Sequence, residues 1–207
     1  HYLWCCFRGL VFFGQALFSI YRATIPVGAL VRPRERHTVY YTRKLSGFVQ
    51  VLNFVPFIED ELGQERPPSE LKSITFPSSE TAGMVLALLN SSLFYWFLTI
   101  YSDVRNLNKR EILGLPVINN SHGIVHELEE KVQRLMESYQ RTSEVLTMRY
   151  KKHGVLHIQC IYPKKSKPII DDIDLAYGRA IGFGDEELDF LVNYDVKYRM
   201  SGADDEA

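Results

Sequence analysis

The stretch that most constrains the fold is "PSSETAGMVLALLNSSLFYWFLTIYS", residues 77–102, in which Glu80 is the one charged residue. Its apolar side chains recur every three or four positions, at Val85, Leu89, Leu93, Trp96 or Phe97, and Ile100. This spacing predicts one long helix over residues 80–102, capped by Ser78 or Ser79. Because a helix this apolar is stable only in a core, the rest of the chain is expected to cover it.

The most regular pattern follows in residues 121–153. Apolar and small side chains alternate by three and four at Val125, Leu128, Val132, Leu135, Tyr139, Thr142 and Leu146. This is the seam of a long helix that packs against one partner, with charged residues on its other faces. We therefore predict a long spacer helix here.

Shorter segments predict strands, because they are rich in β-branched and aromatic residues. They are His37–Thr42, Phe48–Phe54, Leu71–Phe76 and Val155–Tyr162, with a short extended piece at "EILGLPVI". A polar loop is expected over residues 59–70, and two short helices over Ile169–Ile181 and Asp185–Lys197. The predicted class is α+β: a small, twisted, mostly antiparallel sheet packed on helices, followed by a long helix and a short helical C-terminal unit.

The chain divides into five predicted parts. They are a lead segment without an assigned role (1–36), a body (37–120), the spacer helix (121–153), a strand with C-terminal helices (154–200) and an acidic, disordered tail (201–207). Because the sequence begins with His1 rather than Met, we expect it to be a segment of a longer polypeptide.

Cysteine use and hydropathy bear on the cellular compartment. Three cysteines, of which Cys5 and Cys6 are adjacent, cannot form a spaced disulfide framework, which favours a reducing cytoplasm. The apolar stretch from Tyr2 to Ile20 has nearly the length of a membrane span, but Arg8, Gln15 and two glycines interrupt it. We expect a buried helix or an interface segment there, and no membrane partner.

Charge is unevenly distributed along the chain. Residues 1–168 carry 21 Lys and Arg against 14 Asp and Glu, whereas residues 169–207 carry 3 against 11. A basic body with an acidic end suggests that the body meets a polyanion, although charge blocks of this kind are also common on solvated faces.

No catalytic set is found in the sequence. The Asn/Asp-Pro-Pro-Tyr/Phe loop of adenine methyltransferases is absent, and "FFGQA" is only a loose version of their donor-binding turn. Asp60 with "ELK" at residues 70–72 matches the letters of a nuclease metal site, and His122 and His126 lie four residues apart. Both patterns are common, so we predict neither a catalytic residue nor a metal ligand, and no cofactor bound by this chain.

Two groups of residues combine cations with aromatic or amide side chains, as in proteins that contact phosphates and bases. The first lies in and around the predicted hairpin: Arg34, Arg36, Tyr40, Tyr41, Arg43 and Lys44. The second follows the apolar helix: Arg105, Asn108, Lys109 and Arg110. These ten are the candidate DNA-binding residues, with the alternative that Arg105 and Asn108 brace the helix end against Asp103 or the terminal helix.

Two well-separated blocks resemble a known family. "LALLNSSLFYWFLTIYSDVRNLNKREI" (86–112) and "YPKKSKPIIDDIDLAYGRAIGFGDEELDFLVNYDVKYRM" (162–200) are similar to the carboxy-terminal part of large adenine-specific DNA methyltransferases of type II restriction-modification systems. In that family the segment resembles the Taq-type specificity domain, which has a role similar to that of the recognition domains of type I specificity subunits.

The resemblance implies a target-recognition domain for double-stranded DNA. A methyltransferase domain upstream in the same polypeptide would use S-adenosylmethionine, and whether that polypeptide also cleaves DNA stays open. The resemblance also implies that "EELDFLVNYDVKYRM" is a terminal helix that docks on the body. The alternatives are a protein–protein assembly module built on the long helix, and a catalytic nuclease or methyltransferase unit.

Overall fold

The computed structural model describes residues 24–45, 47–118 and 122–201. The helices are α1 (Ser79–Leu89), α2 (Ser92–Tyr101), α3 (Lys109–Gly114), α4 (His122–Thr142), α5 (Lys167–Ala180), α6 (Asp185–Val192) and α7 (Val196–Ser201). The strands are β1 (Thr24–Pro26), β2 (His37–Thr42), β3 (Val51–Leu52), β4 (Ile58–Asp60), β5 (Leu71–Phe76), β6 (Pro116–Ile118), β7 (Glu144–Tyr150) and β8 (Gly154–Cys160). This mixture of helices and small antiparallel sheets confirms the predicted α+β class.

The strands form three small sheets rather than one: β1 with β6, β3-β2-β5, and β4-β8-β7. Every pairing among them is antiparallel. Strands β2 and β5 have the predicted bounds and pair along their full length, from His37 opposite Phe76 to Thr42 opposite Leu71. The predicted strand Phe48–Phe54 shortens to Val51–Leu52, which pairs with β2, and the Asn90 side chain bonds both backbone groups of Val51.

The apolar stretch forms two helices, so the prediction of one helix over residues 80–102 is wrong. The Ser91 side chain accepts a hydrogen bond from the Phe94 amide and starts α2. The Asn90 side chain bonds both backbone groups of Val51 and accepts a bond from the Tyr139 hydroxyl. Buried polar groups need such partners, and satisfying Asn90 fixes the break between the helices.

Helix length and hydropathy indicate whether a membrane span is present in residues 24–45, 47–118 and 122–201. No single helix there is long and apolar enough to cross a bilayer; α1 and α2 reach that length only together, and they meet at a bend of 66°.

Helix α4 belongs to the core and is not a spacer. Leu128, Val132, Leu135 and Tyr139 of the predicted seam are buried, and α4 packs along α1. The helix ends at Thr142, because residues 144–150 form β7 and pair with β8. The predicted continuation to residue 153 is therefore wrong; Leu146 keeps the helical spacing by coincidence while the strand alternation of "EVLTMRY" decides the structure.

Part of the lead segment contributes to the body. Strand β1 pairs with β6, and the completely buried Val27 donates its amide proton to the Leu115 carbonyl oxygen. The predicted extended piece "EILGLPVI" is only half correct, since its first residues belong to α3. The stretch Tyr2–Ile20 and the tail residues 202–207 lie outside the described residues.

The C-terminal helices dock on the body, as predicted. Leu188 and Leu191 pack with Trp96 and Phe183 in a second apolar cluster, and the Tyr194 hydroxyl is 3.1 Å from the Thr99 hydroxyl. The predicted helix over Asp185–Lys197 is interrupted between α6 and α7, where Asp195 has a left-handed φ of 53°. That turn redirects α7 back into the molecule.

Arg199 of α7 is the deepest link between the terminus and the body. The residue is 1% exposed, and its guanidinium lies 4.4 Å from the ring centre of Phe48 and 4.7 Å from that of Tyr95. Nε donates to the Gly47 carbonyl oxygen and one terminal nitrogen donates to the Ser92 hydroxyl, each at 2.9 Å. A cation buried this way is stable only because aromatic faces and acceptors surround it.

Asp174 of α5 completes this polar network. Its carboxylate accepts hydrogen bonds from the backbone amides of Ser92 and Leu93, at the start of α2. Burial raises the pKa of Asp174 to about 7, although the bonds from Ser92 and Leu93 and the charge of Arg199 oppose that rise. The network ties α5 and α7 to the N-terminus of α2.

Candidate nucleic-acid interface

The two groups of candidate DNA-binding residues meet in the structure. Lys44, just after β2, pairs with Asn106 in an isolated antiparallel bridge. Beside it, the Leu107 amide donates to the Arg43 carbonyl oxygen at 2.8 Å. The Leu107 side chain is completely buried, so it anchors the junction in the core. Two segments about sixty residues apart in sequence are therefore adjacent.

Four exposed cations lie at or within two residues of this junction, and we call them the basic surface: Arg43, Lys44, Arg105 and Lys109. None of them forms an ion pair with an acid of the described residues. By contrast, Arg66, Lys131 and Lys165 each have a carboxylate within 4 Å. The charges of the basic surface are thus available to a ligand.

The loop before α3 is held by its own polar side chains. The Ser102 hydroxyl accepts from the Val104 amide at 3.2 Å, and the Asp103 carboxylate accepts from the Arg105 amide at 3.1 Å. Val104 has a φ of 56°, a left-handed conformation that costs energy for a β-branched residue. Asp103 therefore binds the backbone of Arg105, whose exposed guanidinium has no ion pair among the described residues.

Asn108 and Arg110 have structural contacts. Asn108 precedes α3. Its backbone amide donates to the Glu111 carboxylate at 3.0 Å, and this bond closes the first turn of α3. The Arg110 guanidinium lies 3.1 Å from the same carboxylate. Burial favours the protonated form of Glu111, but the bonds from Arg110 and Asn108 and the helix backbone outweigh burial and lower its pKa. Asn108 thus has a structural contact, but its partner is Glu111 and not the predicted Asp103 or terminal helix.

The remaining hairpin residues have different surroundings. Tyr41 is 5% exposed and belongs to the core, where burial raises its pKa, so the prediction that it faces DNA is wrong. Alternation along β2 explains this, since Val39 and Tyr41 share the buried face. Tyr40 lies on the other face and is half-buried, whereas Arg34 is exposed in the preceding turn.

Arg36 lies apart from the junction, beside an open groove of about 320 Å³. The groove is formed by the start of β2 and by α1 and α4, and Glu129 and Gln133 also line it. The structure thus brings only part of the first group together with the second.

The catalytic and metal patterns have structural explanations. Asp60 ends β4, where the prediction placed a loop, and its carboxylate accepts bonds from the Leu62 and Gln64 amides and from Arg66. The Gln64 amide first and then Arg66 hold the pKa of Asp60 below its usual value. His126 pairs with Glu130 at 3.8 Å. Within residues 24–45, 47–118 and 122–201, no group of three potential ligands could hold a metal ion.

Sequence reasoning missed two sets of residues. Arg199 belongs to "EELDFLVNYDVKYRM", which was predicted only as a terminal helix that docks on the body, and nothing in the neighbouring residues marks Arg199 as buried. The cations Arg149, Lys151 and Lys152 were assigned to the end of the long helix, but they lie at the turn between β7 and β8. "KKHG" between two alternating runs was the signal that could have revealed that turn.

Comparison of the chain with family models, curated proteins and solved structures finds no match. The resemblance to restriction-modification methyltransferases therefore stays a prediction.

Proposed function

We propose that this chain is a target-recognition module for double-stranded DNA in an adenine-specific DNA methyltransferase of a restriction-modification system. The module holds the DNA while a methyltransferase domain elsewhere in the polypeptide, supplied with S-adenosylmethionine, modifies a flipped adenine. The cytoplasm is the compartment that this role requires, since the DNA is there.

The observation that carries the proposal is the junction at Lys44 and Asn106. It gathers Arg43, Lys44, Arg105 and Lys109 from two distant segments onto one exposed surface, and none of the four has an ion pair in the part of the chain that the structure describes. Unpaired cations on a rigid surface suit contact with a phosphate backbone, where they displace condensed counterions. The buried Leu107 and the strained turn at Val104 give that surface a fixed shape.

The same loop offers side chains that read base edges. Arg105 and Asn106 are both exposed, and arginine and asparagine form the paired hydrogen bonds that distinguish guanine and adenine in the major groove. Asn108 and Arg110 are less available, because each is bonded at the start of α3. We therefore assign base reading to Arg105 and Asn106, and phosphate contact to the lysines.

The alternative functions have less support. An assembly module built on the long helix needs an apolar stripe open to a partner, but the stripe of α4 is buried against this chain's own core. A nuclease site at Asp60 needs a free carboxylate, and that carboxylate is fully engaged.

The experiment is a DNA titration of the chain over a range of salt concentrations, with Lys44→Ala, Arg105→Ala and Lys109→Ala. The wild-type affinity should fall steeply with salt, Lys44→Ala and Lys109→Ala should each lower the slope by about one because they remove phosphate contacts, and Arg105→Ala should weaken binding. Arg134→Ala is the matched control, an exposed arginine on α4 with Asp172 3.9 Å away. A salt-independent affinity, or equal losses in Arg134→Ala, would contradict the proposal.

Selection from randomised duplexes separates base reading from phosphate contact. The wild-type chain should enrich one sequence, and Arg105→Ala should relax the preference at one position at a cost of roughly 1–3 kcal/mol there. Lys109→Ala should weaken all sequences alike. An unchanged preference in Arg105→Ala would remove that residue from the reading role.

A further inference from the structure

Strands β7 and β8 form a hairpin, Glu144–Tyr150 paired with Gly154–Cys160 in continuous register, and β4 pairs with β8 at Leu156–Ile158. We call this hairpin the ribbon. At roughly 3.4 Å per residue, seven residues extend for about 20 Å. Gly154 has a φ of 72°, so the tight turn after Lys151–His153 suits glycine. We call Arg149–His153 the ribbon tip.

The ribbon lies outside the main core. Its residues are absent from both buried apolar clusters of the described chain, and its principal neighbour is β4, which flanks β8. Strand β7 is the free edge, and Val145 and Tyr150 on it are 55% and 42% exposed. An arm of this kind adds little to the core, and its exposed end is open to a ligand.

The ribbon tip is strongly basic. Arg149, Lys151 and Lys152 are all exposed, and none has an ion pair within the described ranges. The nearest acids, Glu59 and Glu61, lie on the β4 side, where the Glu61 carboxylate accepts a bond from the Val155 amide. Glu144, at the opposite end of β7, pairs with Lys165. Positive charge is thus concentrated at the ribbon tip, with Glu61 as an acid beside it at Gly154 and Val155.

We infer that the ribbon tip is a second DNA-contacting element, with Lys151 and Lys152 binding backbone phosphates. This inference rests on the proposed function, because it assigns a further contact on the same ligand. Backbone phosphates line the outside of the duplex, so the exposed end of the hairpin, beyond Leu156 where the pairing with β4 stops, can reach them without the whole sheet entering a groove. Charge complementarity favours DNA over a protein partner here, since the tip offers three unpaired cations and one partly exposed aromatic ring.

The test is Lys151→Ala/Lys152→Ala in the whole chain, compared with a double control, Arg134→Ala/Arg141→Ala, on the outer face of α4. The tip variant should bind duplex DNA at least about tenfold more weakly at moderate salt, with a salt slope lower by about two. Lys151→Arg/Lys152→Arg should restore both values, whereas the control should match the wild type. Melting temperatures should agree among all four proteins, because the changed side chains are exposed.

The outcomes separate this inference from the proposed function. If the wild-type chain does not bind DNA, both fail. If it binds, and Lys44→Ala and Lys109→Ala weaken binding while the tip variant keeps wild-type affinity and slope, the ribbon inference alone is overturned. The ribbon inference would also be overturned if the tip variant lost affinity and Lys151→Arg/Lys152→Arg did not restore it.

Discussion

Helix α7 and the loop before α3 each contain an arginine, and the two side chains have opposite surroundings. Arg199 is 1% exposed between two aromatic rings, with the Gly47 carbonyl and the Ser92 hydroxyl as acceptors. Arg105 is exposed, and only its backbone amide is bonded locally. The guanidinium of Arg199 donates to acceptors of this chain. The guanidinium of Arg105 has no ion pair among the described residues, so its donors are available to a ligand.

The comparison shows why counting cations along a sequence is a weak guide to function. The acidic C-terminal region holds the arginine that matters most to the fold, although its charge suggested a solvated face. The basic body contains some cations that pair with acids, such as Arg66, and others that do not, such as Arg43 and Lys44. Burial and local partners, rather than block charge, decide which cations are available to a ligand.

The largest expected effect is the loss of Arg199. Arg199→Ala should lower the free energy of unfolding by about 3–5 kcal/mol, because it empties the space between Phe48 and Tyr95 and leaves buried acceptors without a donor. Urea denaturation measures the change. Arg199→Lys should lose part of this stability, since lysine cannot make the same set of directed bonds.

DNA affinity is the control for that variant. The folded fraction of Arg199→Ala should bind DNA as tightly as the wild type. A large loss of affinity with little loss of stability would place Arg199 in the ligand site and contradict its structural role.

A smaller effect is expected from Asp174 and depends on pH. The pKa of Asp174 is about 7 in the folded state, whereas its usual value is 3.8. At a pH between these two values, the folded state keeps the proton of Asp174 and the unfolded state has released it. The contribution of Asp174 to stability is therefore complete below pH 3.8, falls as pH rises towards about 7, and is constant above. The total change should be on the order of 2–4 kcal/mol.

Asp174→Asn isolates this contribution. Its amide oxygen still accepts from the Ser92 and Leu93 amides, but the side chain no longer titrates. The difference in unfolding free energy between wild type and variant should change across that pH interval. A difference that is independent of pH would refute the raised pKa.

The smallest effect on stability belongs to the basic surface. Arg105→Ala and Lys44→Ala should change the free energy of unfolding by about 0–1 kcal/mol, because exposed charges contribute little to folding. Thermal melting of the same preparations used for DNA titration provides the check. A large loss of stability in Arg105→Ala would make it a second structural arginine.

The fold was predictable where one local pattern acts alone. His37–Thr42 and Leu71–Phe76 are both rich in β-branched and aromatic residues, and both strands have the predicted bounds. The break at Asn90 was missed because apolar spacing continues across it, while the cause of the break is a set of bonds to Val51 and Tyr139. Such contacts depend on tertiary structure and leave no periodic signal.

The candidate site was predictable in composition but not in arrangement. Both basic groups were identified from cations near aromatic and amide residues, yet the bridge between Lys44 and Asn106 joins segments that sequence alone does not pair. Tyr41 was misplaced because the pattern did not say which face of β2 is buried. The alternative role of Asn108, bracing the helix end against Asp103 or the terminal helix, named partners other than Glu111, which accepts from the Asn108 backbone amide.

The most direct test of the central claim is photo-crosslinking from the basic surface to one duplex. A benzoylphenylalanine replaces Lys44 in one protein, Lys109 in a second and Arg134 in a third, and each is irradiated with the duplex that selection enriches. If Lys44 and Lys109 lie on one DNA-binding surface, both probes should crosslink to the same few neighbouring base pairs, and the Arg134 probe should give only background. Crosslinks from Lys44 and Lys109 no stronger than those from Arg134 would contradict the account.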